Sequence, residues 1–146
     1  MPEVIVKQVE GITFVGRGES RHWVAMDGPE TFGGSEAGTR PMELFLMSLA
    51  GCTGADVASL LKKMRIEVDK FEIIVKGNRA EEHPRVYTKI DLEYRFYGDN
   101  LQAVKDKIEK AIELSQWKYC SVSAMIRKAE IPFSYTYKLL PRHATS

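Results

Sequence analysis

The stretch from Pro41 to about Arg65 restricts the fold more than any other part of the chain. Leu44, Phe45, Leu46, Met47, Leu49 and Ala50 leave no polar face, and Asp56, Lys62, Lys63 and Arg65 enter only in later turns. Pro41 suits a first helical turn, where its missing N–H is no loss, and Glu43 follows near the positive end of the helix dipole. A helix over about 41–65 is expected, and one that is apolar all round must be covered all round. Gly51 and Gly54 inside it each cost about 1 kcal/mol relative to alanine. Their presence predicts a close approach to the backbone around Cys52, by a crossing helix or by a ligand.

The flanking segments read as sheet. Val4-Ile5-Val6, Ile12-Thr13-Phe14-Val15 and Trp23-Val24-Ala25-Met26, parted by Glu10-Gly11 and by Gly16-Arg17-Gly18-Glu19-Ser20, fit an antiparallel meander. Residues 28–40 hold four glycines and no apolar period, which makes a loop; its glycines offer amides to an anion, but the Gly-Lys-Ser/Thr ending of a phosphate loop is missing. Beyond the helix, Phe71, Ile73 and Val75, then Val86, Thr88, Ile90, Leu92, Tyr94 and Phe96, alternate with polar residues, and Glu81-Glu82-His83-Pro84 turns one strand antiparallel to the next. Asp99 with Gln102 resembles a capping box, opening a helix whose Leu101, Val104, Ile108, Ala111 and Ile112 share a face. Ser121 or Ser123 caps a short helix through Ala129, and Ile131 to Leu139 alternates as a last strand. The expectation is an α+β fold in one domain over residues 1–140, with 141–146 a frayed tail.

With 21 Lys+Arg against 20 Asp+Glu among 146 residues, no net field draws the chain to nucleic acid. Ser48, Thr53 and Asp56 interrupt the longest apolar run, so no membrane span is expected. The first residues lack the basic and apolar regions of a signal peptide, which predicts a cytoplasmic protein. Two cysteines there are too few for a disulfide scaffold and lack CxxC spacing, and the three histidines, His22, His83 and His143, are scattered. Neither a metal nor another cofactor is expected.

The chemistry therefore falls to Cys52 and Cys120. Inside a buried helix, Cys52 needs a cationic neighbour to become a nucleophile. Cys120, just before a helix start, meets unpaired N–H groups that favour a thiolate. By that argument alone Cys120 is the more acidic.

Arg40-Pro41-Met42-Glu43-Leu44-Phe45-Leu46-Met47-Ser48-Leu49-Ala50-Gly51-Cys52, together with Lys118-Tyr119-Cys120-Ser121-Val122-Ser123, resembles the two cysteine motifs of the OsmC/Ohr family. The resemblance extends over nearly the whole chain and to the order of its elements. It implies an OsmC-like fold: an N-terminal antiparallel sheet, a long buried central helix, further antiparallel strands and two more helices, in an intertwined homodimer with sites at the interface. It implies thiol-dependent reduction of organic hydroperoxides, with Cys52 peroxidatic, Cys120 resolving and an external dithiol as reductant, in defence against oxidative or osmotic stress. An arginine would steady the Cys52 thiolate and a carboxylate would hold that arginine. Arg17 is the approximate match, with Arg21 and Arg40 as competitors, and Glu43 is the nearest carboxylate. The family's peroxidases carry a glutamate directly after the helix-opening proline; here Met42 stands there and Glu43 follows, about 100° round the helix.

Two other classes of reading compete. In one, the dimer binds a hydrophobic small molecule in an apolar cleft lined by Met42, Met47, Met64 and Met125, with the cysteines inert or redox-sensing. In the other, the thiols and methionines are core filler.

Overall fold

The computed structural model describes residues 1–145. Two compact units make up the chain, Met1–Phe45 and the residues from Leu46 on.

In the N-terminal unit, β1 (Ile5–Glu10), β2 (Thr13–Arg17) and β3 (Val24–Met26) form the expected meander, each strand antiparallel to the next. Every residue of β1 is exposed within the chain, including Val6 and Val9. The loop that follows is organised by Asp27, only 3% exposed. Its carboxylate accepts from Thr13 Oγ1 (2.7 Å) and from the backbone N–H of Gly28 (2.7 Å), Ser35 (3.1 Å) and Ala37 (3.1 Å). The amides that the glycine-rich sequence offered to an anion are thus taken by the protein's own carboxylate. The wrap is tight: a Cβ on Gly34 would lie 1.9 Å from Gly28 O.

The central helix, α1 (Pro41–Lys63), begins where Pro41 predicts, and Arg40 N–H donates to Glu43 Oε2 at 3.1 Å. Its burial departs from the expectation. Leu49, Thr53, Val57 and Leu61, four residues apart, are the buried row, whereas Met47 is 55% exposed. One chain covers one stripe, and the rest of the apolar surface is left for something else. By length and composition α1 also suffices to cross a membrane, because its few hydroxyls and carboxylates do not offset so many aliphatic residues. Thr53 and Asp56 nevertheless spend their polar atoms on partners inside the protein.

In the second unit, β4 (Lys70–Arg79) and β5 (Tyr87–Tyr97) are antiparallel, and β6 (Phe133–Leu140) joins β5 in parallel, giving the order β4-β5-β6. The parallel pairing requires a crossover, supplied by α2 (Lys105–Leu114) and α3 (Ser121–Lys128). Ile90, Leu92, Tyr94 and Phe96 on β5 form the buried row of the sheet and share a core with Ile108, Ala111 and Ile112 of α2 and Ile126 of α3. Of the two helix glycines, Gly54 is where the sheet comes close: a Cβ there would sit 3.0 Å from Ile73 Cδ1, whereas one on Gly51 would meet nothing within 4 Å. The close neighbour is a strand, not a crossing helix.

The capping box at Asp99 does not form. Asn100, left-handed at φ 56°, turns the chain into a 3-10 turn over Leu101–Val104 without a side-chain cap, and the Asp99 carboxylate pairs instead with Arg142 at 3.0 Å. Arg142 also meets Asp69 at 2.7 Å, so the segment expected to fray is held at its second residue. Ser146, at the end of that segment, lies outside the described residues.

Candidate functional site

Cys52 lies at the middle of α1, half-buried, and Cys120 is 3% exposed; both are free thiols. Their sulfurs and a carboxylate oxygen of Asp56 all lie within 4.8 Å of one another. Asp56 follows Cys52 by one helical turn, so the two project from the same face. Cys120 is delivered by an irregularity: Ser115–Tyr119 form a π-helical turn, closed by Cys120 N–H donating to Ser115 O at 2.8 Å. The chain then straightens at Cys120 and enters α3.

Neither Ser121 nor Ser123 caps α3. Cys120 does, its sulfur accepting from Ser123 N–H at 3.4 Å. The helix start does not make this thiol acidic. Burial pushes it up from its ordinary value, the N–H and hydroxyl of Ser123 pull the other way, and Cys52 adds to the upward push. The acidity expected of Cys120 from the sequence weighed the helix terminus without the burial, and the burial has the larger effect on this thiol. The Ser123 hydroxyl is fully buried and makes no hydrogen bond of normal geometry, which leaves it only a weak polar contact with that sulfur.

A chain of buried polar groups ends on Asp56, and counting protons sets its direction. Ser115 Oγ donates to Asp56 Oδ2 (3.0 Å), which dominates a 3.5 Å approach to Thr53 O, so it must accept from Thr53 Oγ1 at 2.7 Å. Thr53, its one proton used, accepts from Tyr94 Oη at 2.6 Å, and Tyr94 in turn accepts from Gln116 Nε2 at 2.7 Å. Gln116 Oε1 and O accept from Arg127 at 2.8 and 2.5 Å. Every donor points toward the carboxylate. Thr53, Tyr94 and Ser115 are each 0% exposed, so the middle of the series is shielded from water, while Asp56 and Arg127 at its two ends are half-buried. Arg127 is stacked 3.9 Å over Trp117; burial lowers its pKa, and attraction to Tyr135, Cys120 and Tyr94 raises it.

The other two residues named from the sequence belong to the N-terminal unit. The Arg17 guanidinium sits over Trp23 at 5.2 Å with its Nε buried and unpartnered, and the Glu43 carboxylate serves the start of α1. Sequence reasoning missed Asp56, Ser115, Gln116, Tyr94 and Arg127 as site residues. Only Asp56 carried a signal, its four-residue spacing from Cys52. That unit also holds an apolar concavity of about 460 Å³, lined by Val6, Ile12, Phe14, Met26 and Phe32 among others. None of Met42, Met47, Met64 and Met125 lines it.

Comparison with known proteins identifies the family. The family model described as OsmC-like protein matches residues 33–136. The chain belongs to the OsmC-like protein family. It is similar to Protein YhfA of Escherichia coli (strain K12), 37% identical over 135 residues, covering 92% of this chain and 96% of that one. Among solved structures, a hypothetical protein from Aquifex aeolicus VF5 is 32% identical with a TM-score of 0.75, covering 95% of this chain and 97% of that one. The Organic Hydroperoxide Resistance Protein OhrB of Bacillus subtilis shares the fold at a TM-score of 0.58 and 17% identity, covering 95% of this chain and 97% of that one.

Proposed function

We propose that this OsmC-like protein is a thiol-dependent peroxidase that reduces organic hydroperoxides, acting as a cytoplasmic homodimer in stress defence. The observation that carries the reading is the approach of two free thiols to within 4.8 Å of each other, at the positions where the family's cysteine motifs fall. Solved structures of the same fold bear the name organic hydroperoxide resistance protein, which supports the substrate class.

Cys52, the more accessible sulfur, attacks first. Its thiolate displaces alkoxide from the O–O bond, the alkoxide takes a proton to leave as alcohol, and the sulfur becomes a sulfenic acid. Cys120, held protonated by burial, condenses with that sulfenic acid, releasing water and forming a disulfide. An external dithiol returns both sulfurs to thiols. Arg17 and Glu43 keep the supporting roles that the resemblance assigns them, while Asp56 is the carboxylate beside both thiols and can take the proton that Cys52 gives up.

Mass spectrometry of the reduced protein after one equivalent of an organic hydroperoxide tests this. A loss of two hydrogens, blocked when the thiols are alkylated beforehand, is expected; an unchanged mass with unconsumed peroxide would refute it. The apolar concavity of the N-terminal unit favours a second reading, a carrier of a hydrophobic small molecule. Failure to consume peroxide with a dithiol present, together with saturable binding of an apolar dye, would select it.

A further inference from the structure

Cys52, Asp56 and Cys120 share a property that peroxide reduction does not require. Two sulfurs and one carboxylate oxygen converge from α1 and the start of α3, all within 4.8 Å of one another. A tetrahedral zinc ion with bonds of about 2.3 Å to sulfur and 2.0–2.2 Å to oxygen holds its ligand atoms roughly 3.5–3.8 Å apart. Closing that gap takes under about an ångström per side chain, within the reach of a rotamer adjustment. Mixed thiolate and carboxylate donors suit a borderline-soft divalent ion over magnesium or calcium, which prefer oxygen alone.

The surroundings are those of a metal site. A ligating carboxylate is oriented by an outer partner, and Asp56 has one in Ser115 Oγ at 3.0 Å, itself fixed by the buried series reaching back to Arg127. Beside Cys120, the Ser123 hydroxyl is fully buried with no hydrogen bond of normal geometry, a donor for which a thiolate would be the natural acceptor. Two thiolates, a carboxylate and Zn²⁺ sum to one negative charge, and Arg127, attracted to Cys120, supplies the compensating positive one.

We infer that the reduced protein binds one zinc ion through Cys52, Cys120 and Asp56, leaving the fourth position open to water or a small ligand. The absence of CxxC spacing and the scattered histidines argued against a metal only along the sequence; the fold gathers the donors from distant segments. Zinc binding shares the side chains of the proposed peroxidase but needs no peroxide chemistry. Where the peroxidase reading also holds, the two states exclude each other. The thiolates give two electrons to the O–O bond, the hydroperoxide and two protons leave as alcohol and water, the sulfurs join as a disulfide, and zinc is released.

The test titrates zinc sulfate into the fully reduced, full-length protein against a chromogenic chelator, and repeats the titration with cobalt(II). The expected result is one zinc per chain, both thiols lost to a thiol reagent, and a thiolate-to-cobalt charge-transfer band with the visible bands of a tetrahedral ion. Protein oxidised to the disulfide should bind none. Asp56→Asn and Ser115→Ala should each weaken binding at least about tenfold, the size of effect that outer-shell losses already produce. Two reactive thiols remaining at stoichiometric zinc, or an affinity unchanged by Cys52→Ser and Asp56→Asn, would overturn the site. Should Asp56→Asn fail to fold, the cobalt spectrum of the unaltered protein decides, since absence of the charge-transfer band overturns the proposal alone. Peroxide consumption by metal-free protein is read separately, so either proposal can fail without the other.

Discussion

Cys52 and Cys120 are chemically identical and differ in surroundings. One is half-buried on a helix; the other is buried at a helix start with its thiol pushed up. Cys52→Ser should therefore abolish hydroperoxide consumption, while Cys120→Ser should react once and stop as a sulfenic acid that a dimedone-type reagent traps. A single turnover surviving in Cys52→Ser instead would invert the roles. Asp27 makes a second case at this scale. The Thr13 hydroxyl, followed by the backbone N–H of Gly28, Ala37 and Ser35, holds its carboxyl below the ordinary value against the opposing effect of burial. A folded value below the unfolded one means that the unfolded chain binds the proton more readily in acid. The stabilisation from Asp27 is complete above about pH 4 and is lost as pH falls through the lowered folded value. Urea midpoints between pH 5 and 3 should fall less steeply in Asp27→Asn, which should also start from a lower midpoint at pH 7.

Among the elements, the sheet and α1 were legible in the residues because they obey a period. Val86 to Phe96 alternates and becomes β5, and Pro41 with the apolar run after it becomes α1. The failures lie where a local rule met a tertiary demand. Asp99 reads as a cap, yet its carboxylate is taken by Arg142 from the far end of the chain, and Cys120 caps α3 in place of a serine. Both cysteines were legible from their motifs, and the series from Arg127 to Asp56 was not, because its members come from α1, β5, the π-helical turn and α3 with no spacing to connect them. That series gives a sharp prediction. Tyr94→Phe keeps the ring in the core and removes one hydroxyl, stranding Thr53 and Gln116; the expected cost is about 1–3 kcal/mol by urea denaturation. A loss near zero would mean that water or a local shift repairs the gap.

For the whole molecule, the apolar surface that one chain leaves uncovered predicts association. Met47, Val6, Val9, Phe32 and Met125 are all exposed in a chain that keeps a normal buried core elsewhere. Light scattering at micromolar concentration should return twice 16.5 kDa, and Met47→Asp should shift that equilibrium toward the single chain by at least about tenfold, since burying an unpaired charge is costly. A mass of one chain in the unaltered protein would refute the dimer. The parallel pairing of β5 with β6 carries a further consequence, for biosynthesis. Cys120 lies within the crossover that this pairing requires, and the crossover is anchored only when the last strand arrives. A ribosome delivers Cys52 long before β6, so every nascent copy passes through an interval in which the first thiol is present without its partner. Oxidants met in that interval find a sulfur without its internal partner to condense with, which makes the emerging chain more vulnerable to permanent oxidation than the finished protein.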